Sequence, residues 1–293
     1  MNGISVIVPT HNRPGPLERC LQALSAMEQQ GLTLEVIIVN DGGSPLDARR
    51  LEALLPGLVI IEQGNTGPAG ARNAGIAAAG HPHLAFTDDD CLPEPGWIHD
   101  LQAALLEQPS ALIGGHTINL LRHNPFSEAS QLVVEAVCRW QNGDPSNGRF
   151  IPSNNMACRR EQILALGGFN TAFPLAAGED RDFCDRWREA GWPIVQLQDR
   201  ARLGHCHWLD HRSYWRQQMN YGRGGRTLHH LRRANGLPSE KAGFGFLVLL
   251  LAMALRRDER GRWQPLLTLL VLESQVAILV GNLRQRRCWR TAA

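Results

Sequence analysis

The sequence lacks the signatures of several common enzyme classes. Its first apolar segment, residues 4–8, is followed by Pro-Thr-His-Asn-Arg, whereas a dinucleotide-binding fold would place a GxGxxG turn there. This absence disfavours a dinucleotide-dependent oxidoreductase. No Walker A sequence and no GxSxG nucleophile motif occur either. Any catalytic chemistry must therefore be sought in other polar residues.

Disulfide chemistry and strong charge are also missing. The seven cysteines are odd in number and include no CxxC pair, which predicts a reducing compartment and not a disulfide framework or a structural zinc site. A formal net charge of +2 argues against a general nucleic-acid binder. Hydrophobic residues make up 43% of the chain, enough for a sizeable core. Because residues 4–8 already form a strand-like segment, no signal peptide is predicted, and the expected localisation is cytoplasmic.

No uninterrupted apolar run is long enough for a confident membrane span. Residues 244–255 are apolar but few, and residues 265–283 carry Glu273, Ser274 and Gln275 in their middle. Arginines flank both segments. We expect a pair of helices in peripheral contact with an anionic membrane, at its cytoplasmic face. Packing against the rest of the chain, or against a second subunit, is the alternative.

The first half of the chain alternates strand-like and helix-like segments. Short β-branched or apolar runs at residues 4–8, 34–39, 58–61 and 84–86 are separated by segments with helical spacing. This pattern predicts an α/β fold with a mostly parallel central sheet flanked by helices. Ligands of such sheets collect beyond the C-terminal strand ends, where residues 9–13, 40–44 and 88–90 follow.

The second half is less regular. Helices are predicted over residues 127–140 and 179–190, and extended segments over residues 150–157 and 193–197. The composition then shifts to Arg, His, Trp and Gly. We predict a catalytic domain over residues 1–205, a basic arm or lid over 206–240, and a C-terminal helical extension over 241–293. The Arg-Gly sequence of the arm is compatible with a flexible lid or with a basic surface helix.

Three consecutive aspartates, Asp88, Asp89 and Asp90, follow the fourth strand-like segment. Carboxylate oxygens suit Mg²⁺ or Mn²⁺, ions that share their coordination shell with substrate phosphates. If the segment is extended, Asp88 and Asp90 face one side and Asp89 faces the other. An acidic turn that caps the helix beginning near Pro95 is the simpler alternative.

Six motifs occur in a joint order that is more specific than any one of them. They are Val-Ile-Val-Pro-Thr-His-Asn-Arg at 6–13, Val-Asn-Asp-Gly-Gly-Ser at 39–44, Gly-Ala-Arg-Asn-Ala-Gly at 70–75, Phe-Thr-Asp-Asp-Asp at 86–90, Gly-Gly-Phe at 167–169 followed by Gly-Glu-Asp-Arg-Asp-Phe at 178–183, and His-Cys-His at 205–207. Together they resemble the family 2 glycosyltransferases, which have the GT-A fold. The resemblance covers about residues 3–225.

The resemblance implies roles for individual residues. On the donor side, Asp41 resembles the residue that accepts the imide N–H of a uracil-like base. The other implied donor contacts, to a UDP-, GDP- or dTDP-sugar, are Pro9, Thr10, Arg13, Arg72, Asp88 and Asp89. Asp88 and Asp90 form the DxD pair that would bind Mn²⁺ or Mg²⁺, with His205 or His207 as a further ligand.

On the acceptor side, Asp180 resembles the catalytic base, and Glu179 orients it or binds acceptor hydroxyls. We expect the positive end of a helix to keep Asp180 ionised. Asn154 and Asn155 are placed at the acceptor side of the pocket, although they could equally be turn residues. Glu179 and Asp180 could also merely cap a helix, and the two histidines could be ordinary surface residues.

These roles imply a metal-dependent, hexosyltransferase-like enzyme that moves a sugar to a hydroxyl of a glycan, a lipid-linked acceptor or a small molecule. A single displacement predicts inversion at the anomeric carbon. The QxxRW motif of processive polysaccharide synthases is absent near residue 214, which favours a non-processive enzyme. The alternatives are a sugar-phosphate nucleotidyltransferase and a non-catalytic module that binds nucleotide sugars or glycans.

Overall fold

The computed structural model describes residues 3–27, 31–173, 175–237, 243–255 and 264–291, with side chains described as far as residue 286. The chain forms two compact units. The first comprises Met1–Ile118, Asp144–Pro174 and Glu179–Cys206. The second comprises Asn119–Gly143, Leu175–Gly178 and His207–Ala293. The predicted functional limits at residues 205 and 240 stay a prediction, because these units are defined by packing alone.

Among the described residues, ten strands form two sheets, of seven strands in the order β3-β2-β1-β4-β8-β6-β9 and of three strands in the order β5-β10-β7. The strands are β1 (Gly3–Thr10), β2 (Thr33–Asp41), β3 (Val59–Gln63), β4 (His83–Thr87), β5 (Cys91–Pro93), β6 (Leu112–Gly114), β7 (Thr117–Asn119), β8 (Asn155–Arg159), β9 (Ile194–Gln196) and β10 (Leu203–His205). In the larger sheet only the pairs that involve β8 are antiparallel. The predicted α/β class with a mostly parallel sheet is confirmed.

Helices follow the strands of the first unit in alternation. They are α1 (Pro14–Ser25), α2 (Ala48–Leu54), α3 (Gly67–Ala78), α4 (Trp97–Glu107), α6 (Arg160–Ala165) and α7 (Glu179–Glu189). A short 3₁₀ helix covers Pro145–Asn147. In α1 the buried residues recur at helical spacing, and a proline in the first turn fixes its start. Helix α3 packs closely on the sheet because Gly75 has no side chain: a Cβ there would lie 2.4 Å from Ile7 Cγ2.

The order of the strands locates a binding edge. From β1 the chain moves outward through β2 to β3, and it then returns to place β4 on the other side of β1. The reversal creates a crevice beyond the C-terminal ends of β1 and β4, which is where ligands bind in open α/β sheets. Residues 9–13 and 88–90 are the segments that leave these two ends.

The sequence-predicted elements of the first unit fall on observed ones. Each of the four predicted parallel strands overlaps an observed strand that is longer at one or both ends. The helix predicted over 179–190 is α7, and the strand predicted over 193–197 is β9. The extended segment predicted over 150–157 is only partly a strand, because β8 begins at Asn155.

The second unit contains four helices among its described residues. They are α5 (Pro125–Gln141), α8 (His211–Ala234), α9 (Phe244–Ala254) and α10 (Pro265–Thr291). Among the described residues, one stretch, Pro265–Arg286, is long and apolar enough, by length and composition, to cross a membrane. This stretch extends past residue 283. The prediction that no apolar run is long enough for a membrane span therefore holds only for runs that polar residues do not interrupt.

The Arg-Gly segment is helical over His211–Ala234, which agrees with the alternative of a basic helix, and its role as a lid stays a prediction. Asp210 caps α8 by accepting from the backbone N–H of Ser213 at 2.7 Å. A Cβ on Gly222 would lie 1.9 Å from the carbonyl oxygen of Ile278 in α10, and one on Gly281 would lie 1.9 Å from that of Met219 in α8. These two glycines let the two helix backbones touch, which is a packing role and not a source of flexibility.

Candidate active site

Arg13 joins the two segments that flank the crevice of the sheet. It follows β1, and its guanidinium lies 2.9 Å from Asp89 Oδ1 and 2.6 Å from Asp90 Oδ2. Thr10, the last residue of β1, donates its hydroxyl to Asp89 Oδ2 at 2.7 Å. Pro9 precedes it in the strand and is partly exposed. Four of the predicted donor-side residues are therefore brought to one edge of the sheet.

The expectation that Asp88 and Asp90 face one side and Asp89 the other is wrong. The three aspartates lie in a turn between β4 and β5, closed by a 3.1 Å hydrogen bond from the Cys91 N–H to the Asp88 carbonyl. A turn lacks the two-residue alternation of a strand. Asp89 and Asp90 consequently share Arg13, while Asp88 points to Arg72.

Burial raises the pKa of Asp89 to about 7, although the Arg13 guanidinium lowers it. The side chains of Asp89 and Asp90 are almost completely buried, whereas Asp88 is partly exposed. Removing carboxylates from water disfavours their charged form unless cations or hydrogen bonds replace the lost solvation. For Asp89 and Asp90, the Arg13 guanidinium is the cation that replaces part of this lost solvation.

Arg72 connects the aspartate turn to a second acidic pair. From α3 its guanidinium lies 2.9 Å from Asp88 Oδ1 and 3.2 Å from Glu179 Oε1, and it stacks over the Phe169 ring at 5.6 Å. Burial lowers the pKa of this arginine, but the carboxylates of Asp88 and Glu179 raise it by more, so the net shift of the pKa is upward. A buried positive charge therefore lies between Asp88, a candidate metal ligand, and Glu179, which precedes the candidate base.

Glu179 and Asp180 form the first turn of α7. Burial, and then the neighbouring Asp180 carboxylate, raise the pKa of Glu179 to about 7 despite the opposing effect of Arg72. Burial also raises the pKa of Asp180, again against Arg72 and the N–H of Arg181. The positive end of the helix was expected to keep Asp180 ionised, which would lower its pKa, but desolvation outweighs this effect. A carboxylate with a raised pKa is a better proton acceptor.

The Gly-Gly-Phe motif is held to α3 by a reciprocal pair of hydrogen bonds. Asn73 donates its amide to the Phe169 carbonyl and accepts from the Phe169 N–H, both at 2.8 Å. Gly168 has φ +75°, and a Cβ there would lie 2.4 Å from Asn73 Oδ1. The motif requires glycine for both reasons, and it places the Phe169 ring under Arg72.

Asp41, at the end of β2, anchors the start of α3. One carboxylate oxygen accepts from Gln63 and from the backbone and hydroxyl of Thr66, and the other accepts from the Gly67 N–H, all between 2.7 and 2.9 Å. Only one lone pair of this carboxylate is left for a base N–H. Gln63 and Thr66 are not among the sequence-predicted site residues; Thr66 is the N-cap residue of α3, a position that threonine favours.

His205 lies at the end of β10, opposite Cys91 of β5. Its Nε2 is 3.4 Å from Asp90 Oδ1, and the next backbone N–H, of Cys206, donates to the Asp90 carbonyl at 2.8 Å. Burial lowers the pKa of His205, while the Asp90 carboxylate raises it and prevails. His207 follows two residues later, where the last segment of the second unit begins, and its role as a ligand stays a prediction.

The donor set at this turn fits a divalent cation. Asp90 supplies a carboxylate oxygen beside the His205 imidazole. The Asp88 carboxylate pairs with Arg72, so its role as a further ligand stays a prediction. Carboxylate oxygens are ligands that Mn²⁺ and Mg²⁺ prefer.

The two predicted acceptor-side asparagines differ in their surroundings. Asn155 is buried, accepts from Trp97 Nε1 at 2.8 Å and donates to the Ala201 carbonyl at 3.1 Å. Its amide therefore has a structural role, because both its oxygen and its nitrogen are bonded to other segments of the protein. Asn154 donates weakly to Cys91 Sγ at 3.9 Å. Its Oδ1 and Glu179 Oε2 are buried without a hydrogen-bond partner among the residues that the structure describes. Buried acceptors of this kind are candidates for hydroxyl donors of a ligand.

The chain has recognisable relatives. A pre-mycofactocin glycosyltransferase of Mycobacterium tuberculosis (strain ATCC 25618 / H37Rv) is 27% identical over 226 residues, covering 75% of this chain and 46% of that protein. Glycosyltransferase AglE of Haloferax volcanii is 30% identical over 201 residues, covering 67% of this chain and 64% of that protein. The matched region thus spans about half to two thirds of these curated relatives.

The fold has solved counterparts as well. The crystal structure of GalNAc-T7 with UDP, GalNAc and Mn²⁺ superposes with a TM-score of 0.59 at 14% identity, covering 86% of this chain and 54% of that one. The predicted GT-A fold is confirmed by this likeness. The Glycosyl transferase family 2 model matches residues 5–160. The chain belongs to glycosyl transferase family 2.

Proposed function

We propose that this protein is a metal-dependent, inverting, non-processive glycosyltransferase that moves a sugar from a nucleoside-diphosphate sugar to an acceptor hydroxyl. One observation carries the proposal. Arg72 lies within ion-pair distance of both Asp88 and Glu179, so the aspartate turn and the acidic start of α7 border the same buried guanidinium. A donor site and a proton acceptor must be neighbours for a glycosyl group to pass directly between substrates.

The donor half is built at the edge of β1 and β4. Asp88, Asp90 and His205, with His207 as the rival ligand, would hold Mn²⁺ or Mg²⁺, which stabilises the negative charge of a departing nucleoside diphosphate. Arg13 and Arg72 supply donors for diphosphate oxygens. The remaining donor-side assignments are Pro9, Thr10, Asp41 and Asp89.

The acceptor half is built at the start of α7. Asp180 is the proposed base: its raised pKa suits it to take the proton of an acceptor hydroxyl as the new bond forms. Glu179, with one unpartnered buried oxygen, orients Asp180 or binds an acceptor hydroxyl. Asn154 stays assigned to the acceptor side; the assignment of Asn155 there competes with its bonds to Trp97 and Ala201. One displacement, with the base opposite the leaving group, inverts the anomeric carbon, so a retained anomer seen by NMR would contradict the mechanism.

The acceptor is a glycan, a lipid-linked molecule or a small molecule, and we place the reaction in the cytoplasm. Cys20, Cys91, Cys158, Cys184 and Cys206 are free thiols, which supports a reducing compartment. The donor nucleotide is UDP, GDP or dTDP. A screen of nucleotide sugars by thermal shift, with and without Mn²⁺, selects among them, because a ligand that binds the native state raises the unfolding temperature.

The decisive variant is Asp180→Asn, which preserves shape and removes the base. We expect it to lose at least about a hundredfold in the rate of transfer while retaining the thermal shift caused by the nucleotide sugar. Asp185→Asn, in the same helix, is the matched control and should transfer sugar normally. Unchanged transfer by Asp180→Asn would move the base elsewhere. A thermal shift without transfer in the wild-type protein, across all donors and acceptors, would instead favour the non-catalytic module.

A further inference from the structure

The two C-terminal helices present apolar side chains at the positions where a water-soluble helix presents polar ones. Within residues 265–283 every exposed residue is apolar. Their spacing of three or four residues puts them on one face of α10. Besides Pro265, this exposed face consists of Leu266, Leu269, Leu272, Val276, Leu279 and Leu283.

The opposite face of α10 is the one that packs on protein. It includes Val271, Ala277 and the polar Ser274, all buried, and the carbonyl of Leu270 accepts from the Tyr214 hydroxyl at 2.7 Å. This face meets α5, α8 and α9. The exposed leucines are therefore not needed for the core of the second unit.

Helix α9 continues the pattern. It contains no charged residue, and its exposed side chains include Phe244, Leu247 and Val248, with Phe244 83% accessible. Trp140 of α5 packs edge-on against Phe246 and is itself 45% exposed. We define the apolar surface as these exposed side chains of α5, α9 and α10. Contiguous apolar surfaces of this kind mark sites of protein or membrane contact.

The two units differ strongly in net charge. The second unit contains seventeen Lys and Arg against seven Asp and Glu, whereas the first contains thirteen against twenty-one. Helix α8 alone carries six arginines and no acidic residue. Four of its basic side chains, Arg226, His229, His230 and Arg233, line a cavity of about 340 Å³. The unit that bears the apolar surface is thus strongly basic.

We propose that the second unit docks on an anionic phospholipid bilayer, with the apolar surface in the acyl boundary and the basic groups of α8 on headgroup phosphates. Basic residues near a membrane surface are attracted by anionic lipids, and an amphipathic helix lies in the interface plane. With 11 residues α9 is too short to span a bilayer. Because one face of α10 is packed on protein, the helix lies along the membrane.

The occupant argued for is lipid and not a second copy of the chain. Two copies meeting through this surface would bring together two units that each carry an excess of ten positive charges. Like charges brought together at an interface oppose association. An anionic bilayer offers both an apolar interior and the complementary charge.

The proposal is tested by vesicle flotation with the full-length protein, a measurement that does not depend on glycosyl transfer. We expect the protein to bind vesicles of phosphatidylcholine mixed with phosphatidylglycerol at least about tenfold more tightly than vesicles of phosphatidylcholine alone, and to be weakened by salt. Equal binding to both kinds of vesicle would overturn the headgroup contact, and binding to neither would overturn the docking surface.

Two pairs of substitutions locate the surface. The double variant Leu269→Asp/Leu279→Asp should abolish flotation, whereas Leu106→Asp/Leu164→Asp, at exposed apolar positions of the first unit, should float like the wild type. Arg226→Gln/Arg233→Gln should reduce the preference for anionic vesicles. Unchanged circular dichroism shows that each variant is folded. A dimer in solution that Leu269→Asp/Leu279→Asp converts to a monomer, without any effect on flotation, would contradict the proposal.

Discussion

The Arg13 guanidinium lies 2.6 Å from the Asp90 carboxylate, across the point where the strand order of the sheet reverses. The first residue follows β1, the second follows β4, and 76 residues separate them in the chain. Arg13 also contacts Asp89, so one cation neutralises two buried carboxylates. The segments that leave β1 and β4 are thereby fixed to each other at the edge where the donor is proposed to bind.

Arg13→Gln is expected to destabilise the protein and to weaken donor binding. The substitution leaves Asp89 and Asp90 buried without their cation, at a cost of about 1–3 kcal/mol in the free energy of unfolding, since the arginine itself is 37% exposed. Urea unfolding at neutral pH measures this cost. Arg50→Gln, which removes a more exposed ion pair with Glu18, is the control and should cost less than about 1 kcal/mol.

Stability should depend on pH through Glu179. Its pKa is about 7 in the folded protein and close to 4.5 in the unfolded chain, so between these values the native state binds more protons. The free energy of unfolding must therefore fall as the pH rises from about 4.5 to 7. Glu179→Gln removes this contribution, and urea unfolding at several pH values should show a shallower decline. An identical pH dependence in both proteins would show that the Glu179 pKa is not raised.

Gly168→Ala tests the link between the Gly-Gly-Phe motif and α3. Gly167 and Gly168 both have φ +75°, but only at Gly168 would a Cβ collide with Asn73. We expect Gly168→Ala to lower the free energy of unfolding by about 1–3 kcal/mol more than Gly167→Ala, since both share the backbone strain and one adds the collision. Equal losses would mean that Asn73 adapts without losing its hydrogen bonds to Phe169.

Gly222→Ala tests the close contact of α8 with α10. The added Cβ would meet the Ile278 carbonyl, and a backbone atom cannot move aside as a side chain can. We expect a loss of stability of more than about 2 kcal/mol in thermal or urea unfolding. Gly225→Ala, in the same helix with open space around it, should be neutral or stabilising by up to about 1 kcal/mol. A stabilised Gly222→Ala would refute the packing role.

Much of the first unit could be predicted because its signals are local. Strands β1, β2, β3 and β4 are short apolar runs with helical segments between them, and the buried residues of α1 recur at helical spacing. The joint order of six motifs was enough to predict the family and its fold. The sequence therefore determined which elements form and which loops reach the edge of the sheet.

Several details of the site could not be read from neighbouring residues. The alternation expected for Asp88, Asp89 and Asp90 failed because a hydrogen-bonded turn replaced the strand. The raised pKa of Asp180 depends on burial that only packed neighbours create. The glycines of α8 suggested flexibility, but Gly222 lies against the Ile278 carbonyl of α10 and has a packing role.

The sequence by itself determined the α/β pattern, the family and the residue types available at the site. Only the packed chain shows that Arg13 pairs with Asp89 and Asp90, that Arg72 lies between Asp88 and Glu179, and that Leu269 and Leu279 of α10 face outward while Leu270 is buried. The physical reason is range: periodicity and turn chemistry act over a few residues, whereas ion pairing, desolvation and the choice of buried face depend on segments brought together by the topology of the chain.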